Sequence, residues 1–139
     1  MKKSKLINTQ LSLAVASLGH GQALTICDCG LPIGSEVQRI DLALTHGVPG
    51  FMETLDVVLS EQQVEEVVVA EELAVISPAL FEKLTTRIAQ LEDKQGREVN
   101  LVMVSHESFK TLSDQSLAVV RTGECTPYAN IILRSGVVF

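Results

Sequence analysis

The run Arg121-Thr-Gly-Glu-Cys-Thr-Pro-Tyr128-Ala-Asn130-Ile-Ile-Leu-Arg134 places a phenol, an amide and two chain-breaking residues directly ahead of the apolar stretch Ile131 to Leu133. Gly123 and Pro127 interrupt regular structure, Tyr128 offers a flat face and a hydroxyl, and Asn130 offers both a donor and an acceptor. Such a set at the entrance of a strand suits the capture of a small polar ligand, and it equally suits an ordinary polar turn. His20 lies between Gly19 and Gly21, which leave room beside its ring. An imidazole with an ordinary pKa of about 6.5 gives and takes a proton near neutrality; at a helix exit it also caps terminal carbonyls. Asp28 accepts hydrogen bonds from ligand hydroxyls or caps the Gly30-Leu31-Pro32 turn. His106 follows an apolar run, where it contacts a ligand hydroxyl or stands exposed in a first helical turn. His46, in Thr-His-Gly, reads as surface.

The cysteines raise two other chemistries. Cys27 and Cys29 with His20 are potential zinc ligands, but Cys-x-Cys on a strand sends its side chains to opposite faces, and no second close pair completes a tetrahedron. No metal site is expected. Cys125 is a possible nucleophile, yet nothing around it in sequence lowers a thiol pKa. The chain carries no Gly-rich phosphate loop and no dinucleotide fingerprint.

The elements that must position these residues follow from periodicity. Leu11, Val15 and Leu18 share a helical face after the capping residues Asn8 or Thr9, and Gly19 stops that helix. Ala23 to Cys27 reads as a strand with Asp28 at its end. Gln38 to Leu44 is the next strand, with Ile40 and Leu42 on one face. A helix starts near Pro49, carrying Phe51, Met52, Leu55 and Val58. Val64 to Ala70 is β-branched and reads as a strand, although Glu65 and Glu66 keep a helix open. Ser77 caps a helix from Pro78 with Leu80, Phe81, Leu84, Ile88 and Leu91 in a stripe ending at Gly96. Glu98 to Val104 is a strand, Ser105 to Thr111 a short helix, and Leu117 to Arg121 a strand. This alternation predicts an α/β fold, a single three-layer domain over residues 1–139 with a mixed sheet flanked by helices.

With 139 residues, 46% hydrophobic and 20% charged, the chain fills one core and has no room for a second. A formal charge of -6, with 11 scattered basic residues, argues against a nucleic-acid partner. The basic Met-Lys-Lys-Ser-Lys start precedes a stretch broken by Asn8, Thr9, Gln10 and Ser12, and it reads as part of the mature fold. No apolar run of about 18 residues exists, so no membrane span is expected. Three cysteines, an odd number, favour free thiols in a reducing cytoplasm.

Four segments in order, Leu18-Gly-His20-Gly, Cys27-Asp28-Cys-Gly-Leu-Pro32-Ile, Arg39-Ile-Asp41-Leu-Ala-Leu-Thr-His-Gly-Val-Pro49 and the Arg121 to Leu133 run, resemble those of the sugar mutarotase family of ribose pyranases and L-fucose mutarotases. The resemblance covers Met1 to Phe139. It implies an isomerase that interconverts the pyranose and furanose rings of D-ribose, with His20 as proton donor. Asp28, His106, Tyr128 and Asn130 would hold the sugar, with backbone contacts from Ala129. It implies no cofactor, and a homodecamer of two stacked pentamers with sites shared between neighbours. A non-catalytic sugar-binding accessory of ribose uptake and an L-fucose mutarotase are the alternatives; the Glu124 to Asn130 wording is closer to the ribose branch. Gln22 departs from the family, which commonly has an acid there to polarise His20.

Overall fold

The computed structural model describes residues 1–139. Six runs pair as strands: β1 Ala23–Cys27, β2 Gln38–Asp41, β3 Val64–Ala70, β4 Asn100–Val104, β5 Ala118–Arg121 and β6 Ile131–Ser135. They form one sheet in the order β2-β5-β1-β6-β3-β4. β1, β5 and β2 are mutually parallel, as are β3 and β4, while β6 runs antiparallel to both β1 and β3. Five strands therefore share one direction. Their carboxyl ends and the start of β6 lie at one end of the sheet.

Five helices complete the fold: α1 Thr9–Ser17, α2 Phe51–Leu59, α3 Glu71–Ile76, α4 Pro78–Gln95 and α5 His106–Ser113. Local chemistry sets their ends. The Asn8 side chain accepts from the Leu11 N–H at 2.9 Å, and the Ser105 hydroxyl accepts from Ser108 N–H. Gly96 closes α4 at φ 68°, the left-handed conformation that glycine takes without steric cost.

Alternation along the strands divides the apolar side chains between two faces. Leu24, Ile26, Val67, Val69, Val120, Ile131 and Leu133 pack with Leu11 of α1, Phe51 and Leu55 of α2, and Leu84 and Ile88 of α4. On the other face Ala23, Cys27, Val68, Val119 and Ile132 pack against Phe109 of α5. The expected three-layer α/β architecture with a mixed sheet is borne out.

Several boundaries differ from expectation. β2 stops at Asp41, opposite Arg121, because its only partner β5 ends there. β4 begins at Asn100; the preceding Val99 N–H is taken by the Glu92 carboxylate at 2.7 Å. α2 starts at Phe51 with Gly50 as its N-cap, leaving Pro49 outside. Ser77 precedes α4 but makes no cap bond; its hydroxyl donates to the Pro127 carbonyl at 3.1 Å. α3 was not expected at all, since it follows β3 with no glycine or proline between them.

Candidate functional site

Asp28 follows β1 and Asn130 precedes β6, so the antiparallel pairing of these two strands brings the residues together. The Asn130 amide spans the gap. Its Oδ1 accepts from the Asp28 N–H at 2.8 Å, and its Nδ2 donates to Asp28 Oδ2 at 3.0 Å. Asp28 Oδ1 accepts from the Gly30 N–H at 2.9 Å, the turn cap anticipated from sequence. Asn130 is fully buried and Asp28 half-buried. The carboxylate is thus aimed by an amide that has no freedom of its own, and Asn130 lies deeper than a residue ahead of a strand suggests.

Tyr128 has φ 63°, a left-handed conformation costly for a residue with a side chain. It turns the ring toward α5, where it meets the His106 ring edge-on with centroids 5.0 Å apart. His106 in turn stacks over Phe109. The His106 N–H donates to both oxygens of Glu72, just beyond β3, at 3.0 and 3.1 Å. A bond from Glu72's own backbone N–H, and after it those from the His106 backbone N–H, hold the Glu72 carboxyl below the ordinary range. His106 Nδ1 is buried without any hydrogen-bond partner. An orphaned buried nitrogen is rare enough to need a reason, and a polar ligand or water supplies one.

The loop carrying Tyr128 is fixed by groups far away in sequence. Glu124 accepts from the N–H groups of Cys125, Thr126 and Phe51 and from the Thr126 hydroxyl. Burial pushes the Glu124 carboxyl up, but these donors outweigh it and hold the group below its ordinary value. Thr122 donates to the Cys27 carbonyl from its hydroxyl at 2.7 Å, and Arg121 Nε donates to the Cys29 carbonyl at 3.1 Å. Gly123 packs so closely that a Cβ there would collide with the carbonyl oxygens of Thr45 and Val48.

Asp28, His106, Tyr128, Ala129 and Asn130 therefore gather at the carboxyl ends of β1, β3 and β4, the end where α/β sheets hold ligands. His20 does not join them. It precedes β1 whereas Asp28 follows it, and five strand residues span roughly 16 Å at about 3.3 Å each. At that far end His20 is exposed, and its Nε2 lies 2.8 Å from Glu65 Oε2. The pairing of β3 with β6 shifts register between Val64 and Glu66, leaving Glu65 as the extra residue of a bulge, a device that re-aims a side chain. Gln22 instead closes the turn, accepting from the Gly19 N–H at 2.7 Å. The acid facing His20 is Glu65, which the sequence pattern gives no role at the site, nor Glu72 or Glu124; the bonds from Glu65 to His20, Glu72 to His106 and Glu124 to Phe51 span 45, 34 and 73 residues. His46 is exposed, as expected.

The fold and this cluster define a layered α/β protein with a small polar site at one sheet end. The chain belongs to the RbsD / FucU transport protein family, matched over residues 1–138. It is 57% identical to a D-ribose pyranase of Vibrio campbellii and 55% identical to one of Haemophilus influenzae, in each case over the full length of both chains. Among solved structures, RbsD of Bacillus subtilis complexed with D-ribose is 39% identical with a TM-score of 0.84, covering all of both chains. The fucose mutarotase of Streptococcus pneumoniae in complex with L-fucose shares the fold at a TM-score of 0.79 and 24% identity, again over both full chains. The family resemblance read from the sequence is thereby borne out. No helix is long and apolar enough to cross a membrane.

Proposed function

We propose that this protein is an isomerase that interconverts the pyranose and furanose forms of D-ribose, acting in the cytoplasm as a ring-shaped homo-oligomer, a decamer of two pentamers. The observation that carries the reading is the convergence of Asp28, His106, Tyr128, Ala129 and Asn130 at one sheet end, in a chain alike from end to end to D-ribose pyranases.

Ring opening needs only proton transfers. A base takes the proton from the anomeric hydroxyl, the C1–O1 bond becomes a carbonyl as C1–O5 breaks, and an acid protonates O5. Rotation and attack of the 4-hydroxyl on C1 then close the five-membered ring, with the protons returned. His20 is the proton donor, and Glu65 orients its ring and stabilises its charged form. Asp28 accepts from sugar hydroxyls in the attitude that Asn130 sets, His106 and Tyr128 contact others, and the backbone at Ala129 completes the cradle. Within one chain His20 stands at the wrong end of β1, so a neighbouring copy delivers its His20 to the cluster.

That separation also favours a second reading, in which the isolated subunit binds ribose without turning it over. Two-dimensional exchange NMR of ribose with and without protein, paired with light scattering, tests both. Accelerated exchange by an oligomer supports the enzyme; unchanged exchange at saturating protein leaves the binding module; full activity from a 15.0 kDa monomer overturns the shared site.

A further inference from the structure

We propose that Cys29 and Cys125 form a redox-active dithiol, a modification site that a low-molecular-weight disulfide such as oxidised glutathione converts into an intrachain disulfide. Their sulfurs lie 3.8 Å apart across 96 residues of sequence. Both segments are already tethered. The Cys29 N–H donates to the Glu124 carbonyl at 2.8 Å, its own carbonyl is held by Arg121, and the Cys125 N–H is held by the Glu124 carboxylate. Bond formation needs the sulfurs to close only from 3.8 Å to about 2.05 Å. The third thiol stays out of the chemistry: Cys27 is fully buried on the α5 face of the sheet, and burial pushes it up to about 12.

Cys125, the more exposed of the pair, is the first attacker; the hydrogen bond with Cys125 raises the Cys29 thiol. The Cys125 thiolate attacks one sulfur of oxidised glutathione and expels a glutathione thiolate. The Cys29 thiolate then attacks the Cys125 sulfur and expels the second glutathione. Two protein thiols lose two electrons and two protons, and one glutathione disulfide becomes two glutathione thiols.

The bond acts on the sugar site because Cys29 adjoins Asp28 and Cys125 lies on the loop of Tyr128 and Asn130. The sulfurs approach by more than an ångström, and a displacement of about 1 Å at a reacting centre is worth up to about 100-fold in rate. Oxidation is therefore expected to slow ribose exchange at least about tenfold, reversibly; this second effect rests on the proposed function, whereas the disulfide itself does not.

The test treats the full chain with oxidised glutathione, then counts free thiols, measures intact mass and maps peptides. The expected result is a fall from three free thiols to one, a mass loss of two hydrogens and a Cys29–Cys125 peptide, while Cys29→Ala keeps a glutathione adduct on Cys125. Three unreacted thiols, stable glutathione adducts in the wild type, or Cys125 linked between copies would overturn the dithiol. Exchange NMR on the same samples reads the second effect. Equal rates in oxidised and reduced protein overturn the coupling to the sugar site. Failure of the reduced protein to exchange ribose sinks the proposed function, and the thiol count still decides the disulfide.

Discussion

At the residue scale, the division of labour around His20 and Asp28 makes distinct forecasts. His20→Ala is expected to lower exchange by about 100-fold or more while ribose still binds, since an acid contributes to the transition state far more than to the ground state. Glu65→Gln keeps the hydrogen bond but removes its charge, so kcat should fall with KM nearly unchanged; an unaltered kcat would remove Glu65 from any positioning role. Tyr128 and Asn130 separate in another way. Tyr128→Phe retains the ring against His106 and should weaken ribose binding in calorimetry with little change in melting. Asn130→Ala strips the Asp28 N–H and Oδ2 of their partner while Oδ1 keeps the Gly30 N–H, a cost of about 1–3 kcal/mol, so both ribose affinity and melting temperature should drop. The sequence marked all these residues except Glu65, whose meaning depends on a bulge that exists only once β3 and β6 pair.

At the scale of elements, strand and helix types were largely readable because apolar periodicity is local. The stripe from Leu80 to Leu91 marked α4, and the β-branched run at Val64 favoured β3 while Glu65 and Glu66 left a helix open. What was not readable depends on partners. Nothing in the 38–44 segment says that β5 ends at Arg121, and α3 follows β3 without punctuation. The loop after β5 is the clearest case of an element held by distant chain. Gly123 is required by the Thr45 and Val48 carbonyls rather than by its own backbone, as a Cβ would meet both. Gly123→Ala is expected to destabilise by about 1–3 kcal/mol through overpacking, seen as a lower urea midpoint, and to weaken ribose binding because the same loop carries Tyr128. Unchanged urea and ribose titrations would mean that the loop adjusts freely.

At the scale of the whole molecule, a small domain leaves apolar surface uncovered. Leu101 and Met103 on the edge strand β4, Val75 and Ile76 of α3, and Val138 and Phe139 at the end of the chain are all exposed. Association would cover such surface, in keeping with the proposed ring. Light scattering at micromolar concentration should therefore give a mass several times 15.0 kDa.

The placement of His20 and Asp28 at opposite ends of β1 has a genetic signature. If each sugar lies between the His20 end of one copy and the Asp28 end of the next, two inactive variants repair each other when co-assembled. In a ring mixed equally from His20→Ala and Asp28→Asn subunits, about a quarter of the junctions unite one intact His20 with one intact Asp28. Dissociating and reassembling the two proteins together should recover that fraction of wild-type exchange, whereas mixing them after assembly should recover none. Such complementation is available only to a protein whose working unit is the contact between chains.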